Sequence, residues 1–328
     1  MKFIKTPEAA GCILCHDLTQ IIPGVSKETR FRKGHVITCD DIPVLLDMGK
    51  EQLYVWEKQP GMLHEEEGAE ELRKLCQGEN LRAAPVREGK IELFAEINGL
   101  LKINSEKLIA INSIGDMAII TKKGNRGIAQ GSKAAALKII PLLIDEEKIK
   151  CAAEICGKEK LITIIPYRQK KAGLIITGNE LYHKRISETG SPIIKQKIEA
   201  LGAECARTLL AEDDHQKITA AIHDMAAQGM DLIVCTGGMS VDPDDKTPLA
   251  IKNSGARIVS YGVPLMPGTM LMLAYYEKGE TPIAVIGAPA CVLYEHTTAL
   301  DVLLPRLMAD DTISREELSA LGEGGLEL

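Results

Sequence analysis

Between Lys171 and Met308 the chain alternates short apolar runs with amphipathic stretches, and that rhythm leaves few folds open. Ala172-Gly173-Leu174-Ile175-Ile176-Thr177 is apolar up to its last residue, as a strand buried on both faces of a parallel sheet must be. Asp231-Leu232-Ile233-Val234-Cys235 and Pro282-Ile283-Ala284-Val285-Ile286 repeat the pattern, and Glu204 to Leu210 and Ile258 to Tyr261 are predicted as further strands. Helices are predicted between them. One runs from Ser191 (N-cap) and Pro192 (first turn) to Leu201, with Gly202 behind it. Another runs from Asp214 to Gln228, with Ile218, Ala221, Ile222 and Met225 on one face. Thr247-Pro248 caps a short helix ending at Gly255, and Val292 to Met308 forms a long one interrupted at Pro305. The alternation predicts an α/β fold over 166–310: a three-layer, doubly wound, mostly parallel sheet.

The rest of the 328 residues are organised differently. Residues 1–60 are expected to be a small β-rich α+β region. Gly34–Ile37 and Gln52–Trp56 are its strands, Asp40–Met48 is a helix stopped by Gly49, and a Pro60-Gly61 turn closes it. Residues 61–165 form an α+β middle region, opening with an acidic helix from His64 to Gln77 whose glutamates, Glu65 among them, face solvent. Residues 311–328 are expected to be a C-terminal tail, frayed at Glu323-Gly324-Gly325-Leu326.

Composition excludes several classes of function. Net charge is −7 and aromatics are 3% of the chain, so no basic field or stacking surface gathers nucleic acid or anionic lipid. The longest apolar runs are too short to span a membrane. No apolar segment follows the lysines of Met1-Lys2-Phe3-Ile4-Lys5, so a cytoplasmic protein is expected. The nine scattered cysteines are then small buried hydrophobes rather than a disulfide framework. Cys12-Ile13-Leu14-Cys15-His16 has the Cys-x-x-Cys-His spacing of a haem attachment site, but it sits in an apolar run that is predicted as a strand. His183, His215, His223 and His296 form no cluster by spacing, and His183 is expected to be an exposed loop residue.

In an open parallel sheet, ligands bind beyond the carboxyl ends of the strands. Three segments leave such ends: Thr177-Gly178-Asn179-Glu180-Leu181, the run from Thr236 to Pro248, and Gly287-Ala288-Pro289-Ala290-Cys291. Paired glycines at Gly237 and Gly238 let backbone amides approach a ligand, and Thr236 and Ser240 add hydroxyls. Asp242, Asp244 and Asp245 supply hard oxygens suited to Mg2+. Singly, each loop reads equally well as a turn or a helix cap.

These loops, with the Pro267-Gly268 turn, resemble the molybdopterin-binding domain of molybdenum cofactor biosynthesis proteins. The motif order is most similar to the molybdopterin molybdenumtransferase branch. The resemblance is strong over 166–310 and loose from Gly34 to Val55. It implies binding of molybdopterin, or its adenylylated form, with Mg2+, and transferase chemistry in which AMP leaves as molybdenum is inserted. By position, Asp245 and Glu180 would be the catalytic residues, and Asp242 and Asp245 the metal ligands. Thr177, Gly178, Asn179, Thr236, Gly237, Gly238, Met239, Ser240, Pro267, Gly268, Gly287 and Pro289 would hold the pterin ligand. The implied assembly is a homo-oligomer, a dimer or a trimer, with molybdoenzymes as possible partners.

Four departures mark this chain. Asn179 stands where the transferase pattern has aspartate, and Asp242 where it has glycine. Met266 and Thr269 replace two lysines, and Ala290-Cys291-Val292 replaces Gly-Asn-Pro. A pocket that loses two lysines and gains an aspartate repels oxyanions unless it recruits a cation. Two alternatives to the transferase therefore stay open: a non-catalytic molybdopterin carrier or sensor, and a nucleotide pyrophosphatase of the competence-damage type.

Overall fold

The computed structural model describes residues 2–22, 26–56, 60–183, 190–240, 242, 245–279 and 281–327, without the side chains of Ser26 and Glu180. The chain divides into two compact units that do not follow sequence order. The first takes residues 1–95, 103–122 and 132–163; the second takes 96–102, 123–131 and 164–328. The segment expected as a middle region thus contributes to both.

In the first unit, Lys2–Lys5 pairs antiparallel with Gln52–Val55, and Leu18–Ile22 with Ser26–Phe31. The helix Asp41–Asp47 lies where the sequence places it and seats Leu45 in a core with Leu14, Ile37 and Leu53. Two expected strands reduce to single bridges. Val36 meets Ile13, and Leu14 meets Val55, so neither Gly34–Ile37 nor the Cys12–His16 run builds a ladder. Cys15 is buried there, and burial pushes its thiol up to about 11. A four-stranded antiparallel sheet, in the order Leu81–Ala83, Lys90–Ala95, Lys133–Ile139, Met117–Thr121, follows in the same unit.

The acidic helix Glu65–Cys76 begins on a reciprocal cap. His64 accepts from the Glu66 amide, and the Glu67 carboxylate accepts from the His64 amide. Glutamates in its first turn and Arg73 and Lys74 in its last complement the helix dipole. Its face is not wholly solvated as expected. Glu65 is buried with Lys138 3.5 Å away, and the ammonium offsets part of the hydration that its carboxylate loses.

The second unit holds a six-stranded sheet built from β1 (Lys171–Thr177), β2 (Glu204–Ala211), β3 (Leu232–Thr236), β4 (Arg257–Tyr261), β5 (Met272–Tyr276) and β6 (Ile283–Ala288). Their spatial order is β2-β1-β3-β6-β5-β4. β2, β1, β3 and β6 run parallel, and β5 opposes both its neighbours. The mostly parallel doubly wound sheet is as expected. β5 is an addition to the strands read from the sequence: its apolar run carries no local signal of direction.

Alternation along the strands sorts side chains to two helical layers. Ala172, Leu174 and Val234 face one core with Ile194, Ile198 and Leu303, from α2 (Gly190–Glu199) and α5 (Ala299–Met308). Ile175, Ile233 and Cys235 face the other with Ile218 and Ile222 of α3 (His215–Ala227) and Ile251 of α4 (Thr247–Asn253). The short α1 (Asn179–Tyr182) follows β1. Each of the buried Leu, Ile and Val side chains among these contributes about 1.5–3 kcal/mol. α5 starts at Ala299 rather than Val292, because Thr298 and Asp301 form a reciprocal cap there; Ala290–Leu293 is a separate 3-10 turn.

The expected tail is structured, and the stretch expected to fray, Glu323–Leu326, makes backbone hydrogen bonds. Arg315–Ser319 is a helix capped by Ser314 and Glu317, with Ile313 and Leu318 in the sheet core. Beyond it, the Gly325 carbonyl accepts from the Met266 amide at 2.9 Å. Gly325 is required there, since a Cβ would lie 2.3 Å from the Pro264 carbonyl oxygen.

Candidate functional site at the carboxyl edge of the sheet

The order of strands reverses between β1 and β3. The chain steps from β1 outward to β2, then returns to lay β3 on the other side of β1. Such a switch point opens a crevice beyond the two carboxyl ends. Here it lies between Thr177-Gly178 and Gly237-Gly238. The loops meet closely: at Gly237, with φ of +93°, an added Cβ would lie 2.2 Å from the Thr177 carbonyl oxygen. Only glycine permits this approach.

Thr247 locks the junction. Fully buried, it donates its hydroxyl to the Gly237 carbonyl at 2.7 Å, while its amide donates to the Gly238 carbonyl at 3.3 Å. Its hydroxyl lies 3.4 Å from that of Thr177. The sequence reading makes Thr247 a helix cap; in the structure it is the first residue of α4 and ties the glycine loop instead. Thr236 is buried at the end of β3.

On the other lip, Asn179 and Asp213 clasp each other. The Asn179 amide donates to the Asp213 carboxylate at 2.8 Å, and the Asp213 amide donates to the Asn179 side-chain oxygen at 3.2 Å. Glu180 lies in α1, but its side chain is outside the description. Ser240 and Asp242 are exposed and Asp245 is half-buried. The Asp242 amide donates to the Asp245 carboxylate at 3.2 Å, and the Asp245 amide to the Asp242 carbonyl at 2.9 Å, so the two aspartates share one turn. Val241, Pro243 and Asp244 lie outside the described residues. No group of three metal-ligating side chains occurs among the described residues.

The remaining positions serve the same edge from beneath. Met239 is buried against Gly287, where a Cβ would meet its methyl group at 2.5 Å. Pro289 caps the 3-10 turn after β6. Pro267 follows a cis peptide bond and accepts from the Ala299 amide at 3.0 Å, holding the Pro267-Gly268 turn on the start of α5. Tyr261, at the carboxyl end of β4, donates to the carbonyls of Met239 (3.1 Å) and Ser240 (3.3 Å). Burial, and secondarily the charge of Asp245, raises its phenol above the ordinary value.

This arrangement matches a known pattern of sequence. Residues 173–309 fit the family model described as "Probable molybdopterin binding domain". The segment belongs to that molybdopterin-binding domain family. Residues 3–57 fit a separate model, a domain of unknown function (DUF8806). A CinA-like protein of Mycobacterium tuberculosis is 38% identical over 77 residues, which are 24% of this chain and 18% of the relative. The chain thus spans about a fifth of the length of the curated relatives it matches. Among solved structures, the tungsten cofactor synthesizing protein MoaB from Pyrococcus furiosus is 17% identical, covering 42% of this chain and 88% of its own, with a TM-score of 0.34. CinA from Thermoplasma acidophilum is 21% identical over 37% of this chain and 88% of its own, with a TM-score of 0.30.

Within this molybdopterin-binding domain, the positions that lack the transferase lysines are also placed. Met266 is 60% exposed, and Thr269 turns its hydroxyl to the Leu265 carbonyl at 2.9 Å. Three contributors to the edge escape sequence reasoning: Asp213, Thr247 and Tyr261. Only Thr247 had a signal, its position before Pro248, and that signal pointed to a helix cap.

Proposed function

We propose that this chain binds molybdopterin, or its adenylylated form, at the β1/β3 crevice and acts in molybdenum cofactor biosynthesis. The observation that supports this best is the contact of Gly237 with Thr177, tied by Thr247, which brings the first two ligand loops to one point. Backbone amides there can meet phosphate without a basic side chain.

Mg2+ fits the donor set. It binds through one or two carboxylates together with substrate phosphates and water, and Asp242 and Asp245 supply two carboxylates in one turn. When bound, the ion would neutralise phosphate charge that this acidic edge otherwise repels. Asp245 would then stand beside the scissile phosphoanhydride, and Glu180 would orient the ligand from α1.

A carrier or sensor is the second reading. It is favoured by the exposed Met266 and the inward-turned Thr269 hydroxyl, which leave no cation for molybdate at those positions.

The deciding experiment is AMP release from adenylylated molybdopterin, with Mg2+ and molybdate, by the natural chain and by Asp245→Asn. Molybdate-dependent release that disappears in the variant supports the transferase. Tight binding without release supports the carrier. Absence of any binding sinks both. Asp242→Gly combined with Met266→Lys is expected to raise molybdate-dependent turnover; unchanged turnover would remove the argument from the lost lysines.

A further inference from the structure

Tyr261 stands outside every ligand loop, at the end of β4, yet its hydroxyl reaches two consecutive carbonyls of the loop that follows β3. One phenolic proton is shared between Met239 and Ser240, at 3.1 and 3.3 Å. β4 is the edge strand on the side of β3 away from β1. The Met239 carbonyl is therefore drawn toward the β4 side of the sheet. A trans peptide points its N–H opposite to its C=O. The Ser240 amide therefore points away from Tyr261.

From this we propose that Tyr261 is the positioning residue that sets the polarity of the second ligand loop, so that the loop offers an amide donor, not a carbonyl, to a pyrophosphate-type ligand. The inference rests on the reading of this edge as the ligand site. Asp245, the charged group that acts on Tyr261, makes the point sharper: on an acidic edge, a carbonyl turned inward would add to the repulsion an anion meets. Tyr261 touches no ligand in this scheme. It acts through the Met239–Ser240 peptide, from its place as the last residue of β4.

The test uses the full chain, 15N-labelled, with inorganic pyrophosphate as the probe at fixed Mg2+. In the natural protein the Ser240 amide resonance is expected to shift saturably. Tyr261→Phe keeps the ring and is expected to weaken pyrophosphate about tenfold and to shrink the Ser240 shift, with the melting temperature little changed. Tyr261→fluorotyrosine keeps the hydroxyl and ionises at lower pH. It is expected to restore affinity at neutral pH and lose it as the phenol deprotonates, because a phenolate has no proton to donate. That variant carries the test should Tyr261→Phe fail to fold.

Unchanged affinity in Tyr261→Phe, or a Ser240 amide that saturating pyrophosphate does not move in the natural protein, overturns the inference. Pyrophosphate binding with the expected Ser240 signature but no molybdopterin binding would leave it standing and defeat the pterin reading alone.

Discussion

The two ends of the same sheet are built on opposite principles. At the carboxyl edge, the contacts around the crevice are mainly backbone and hydroxyl contacts, with carboxylates accepting from amides rather than from cations: Gly237 on Thr177, Thr247 on Gly237, Tyr261 on Met239 and Ser240, and Asp213 on Asn179. At the amino edge, charges pair with charges. Lys170, 8% exposed, meets Asp310 at 2.5 Å, and Arg306, 4% exposed, joins Asp311 at 2.5 Å and Glu317 at 2.8 Å. Lys102 adds a further contact to Asp311 at 3.0 Å. A closed ion-pair network satisfies its own members and leaves little for a ligand. A rim of peptide groups and small side chains leaves donors free to turn outward. On the proposed reading, the sheet keeps buried charge pairs at its amino end and the ligand loops at the other.

The largest expected effect tests the amino edge. Arg306→Met leaves Glu317 and part of Asp311 without their buried cation and should cost about 4 kcal/mol in urea unfolding. Ligand affinity of the remaining folded protein should not change. A loss of affinity without a loss of stability would break the division of labour.

Gly237→Ala attacks the other end. A Cβ placed 2.2 Å from the Thr177 oxygen, at positive φ, should cost about 3 kcal/mol. It should also abolish ligand binding, because the crevice must open to accept it. Isothermal titration beside thermal melting separates the two losses; wild-type affinity here would remove Gly237 from the site.

Thr247→Val is milder. Removing the hydroxyl leaves the Gly237 carbonyl without its donor, for about 1–2 kcal/mol. Affinity should fall several-fold while the melting curve shifts by only a few degrees, and equal losses at both would make Thr247 a purely structural tie.

Acid gives the smallest effect and should spare both edges, because its target lies in the first unit. His64 is buried, its Nε2 donating to the Cys15 carbonyl while Lys33 lies 3.0 Å from Nδ1. Burial first, then the Lys33 charge, holds its pKa below the ordinary value; Glu66 and Glu67 oppose this. The folded state then refuses a proton that the unfolded chain accepts below about pH 6.5. Stability of that unit should therefore fall with decreasing pH, by at most about 1.4 kcal/mol per pH unit, until the folded-state pKa is reached. His16, held low by its own burial and then by His64, moves in the same direction. His64→Gln should flatten the dependence of the urea midpoint between about pH 6.5 and 5. An unflattened slope would assign the acid response to other groups.

What the sequence made legible follows from how local each cue is. β1, β3 and β6 announce themselves, because a strand buried on both faces has to be an unbroken apolar run. The helix starts at Asp214 and Ser314 are equally local matters of one side chain meeting amides two or three residues on. β5, Met272–Tyr276, is a comparable apolar run that the sequence reading passed over, and its reversed direction depends on partners elsewhere. The candidate site divides in the same way. Gly237 and Gly238 stand out by composition. Asp213 and Tyr261 act only through strand order, which puts the end of β2 beside Asn179 and the end of β4 beside Ser240. Pairings across a sheet leave no mark in the local sequence.

The Gly325–Met266 contact has a practical side for anyone handling this molecule. A tag or fluorescent probe inserted beside Gly325 would sit against a carbonyl that braces the stretch leading into Pro267-Gly268. A label in this stretch that dulls ligand binding would report on the lost brace rather than on the ligand loops themselves.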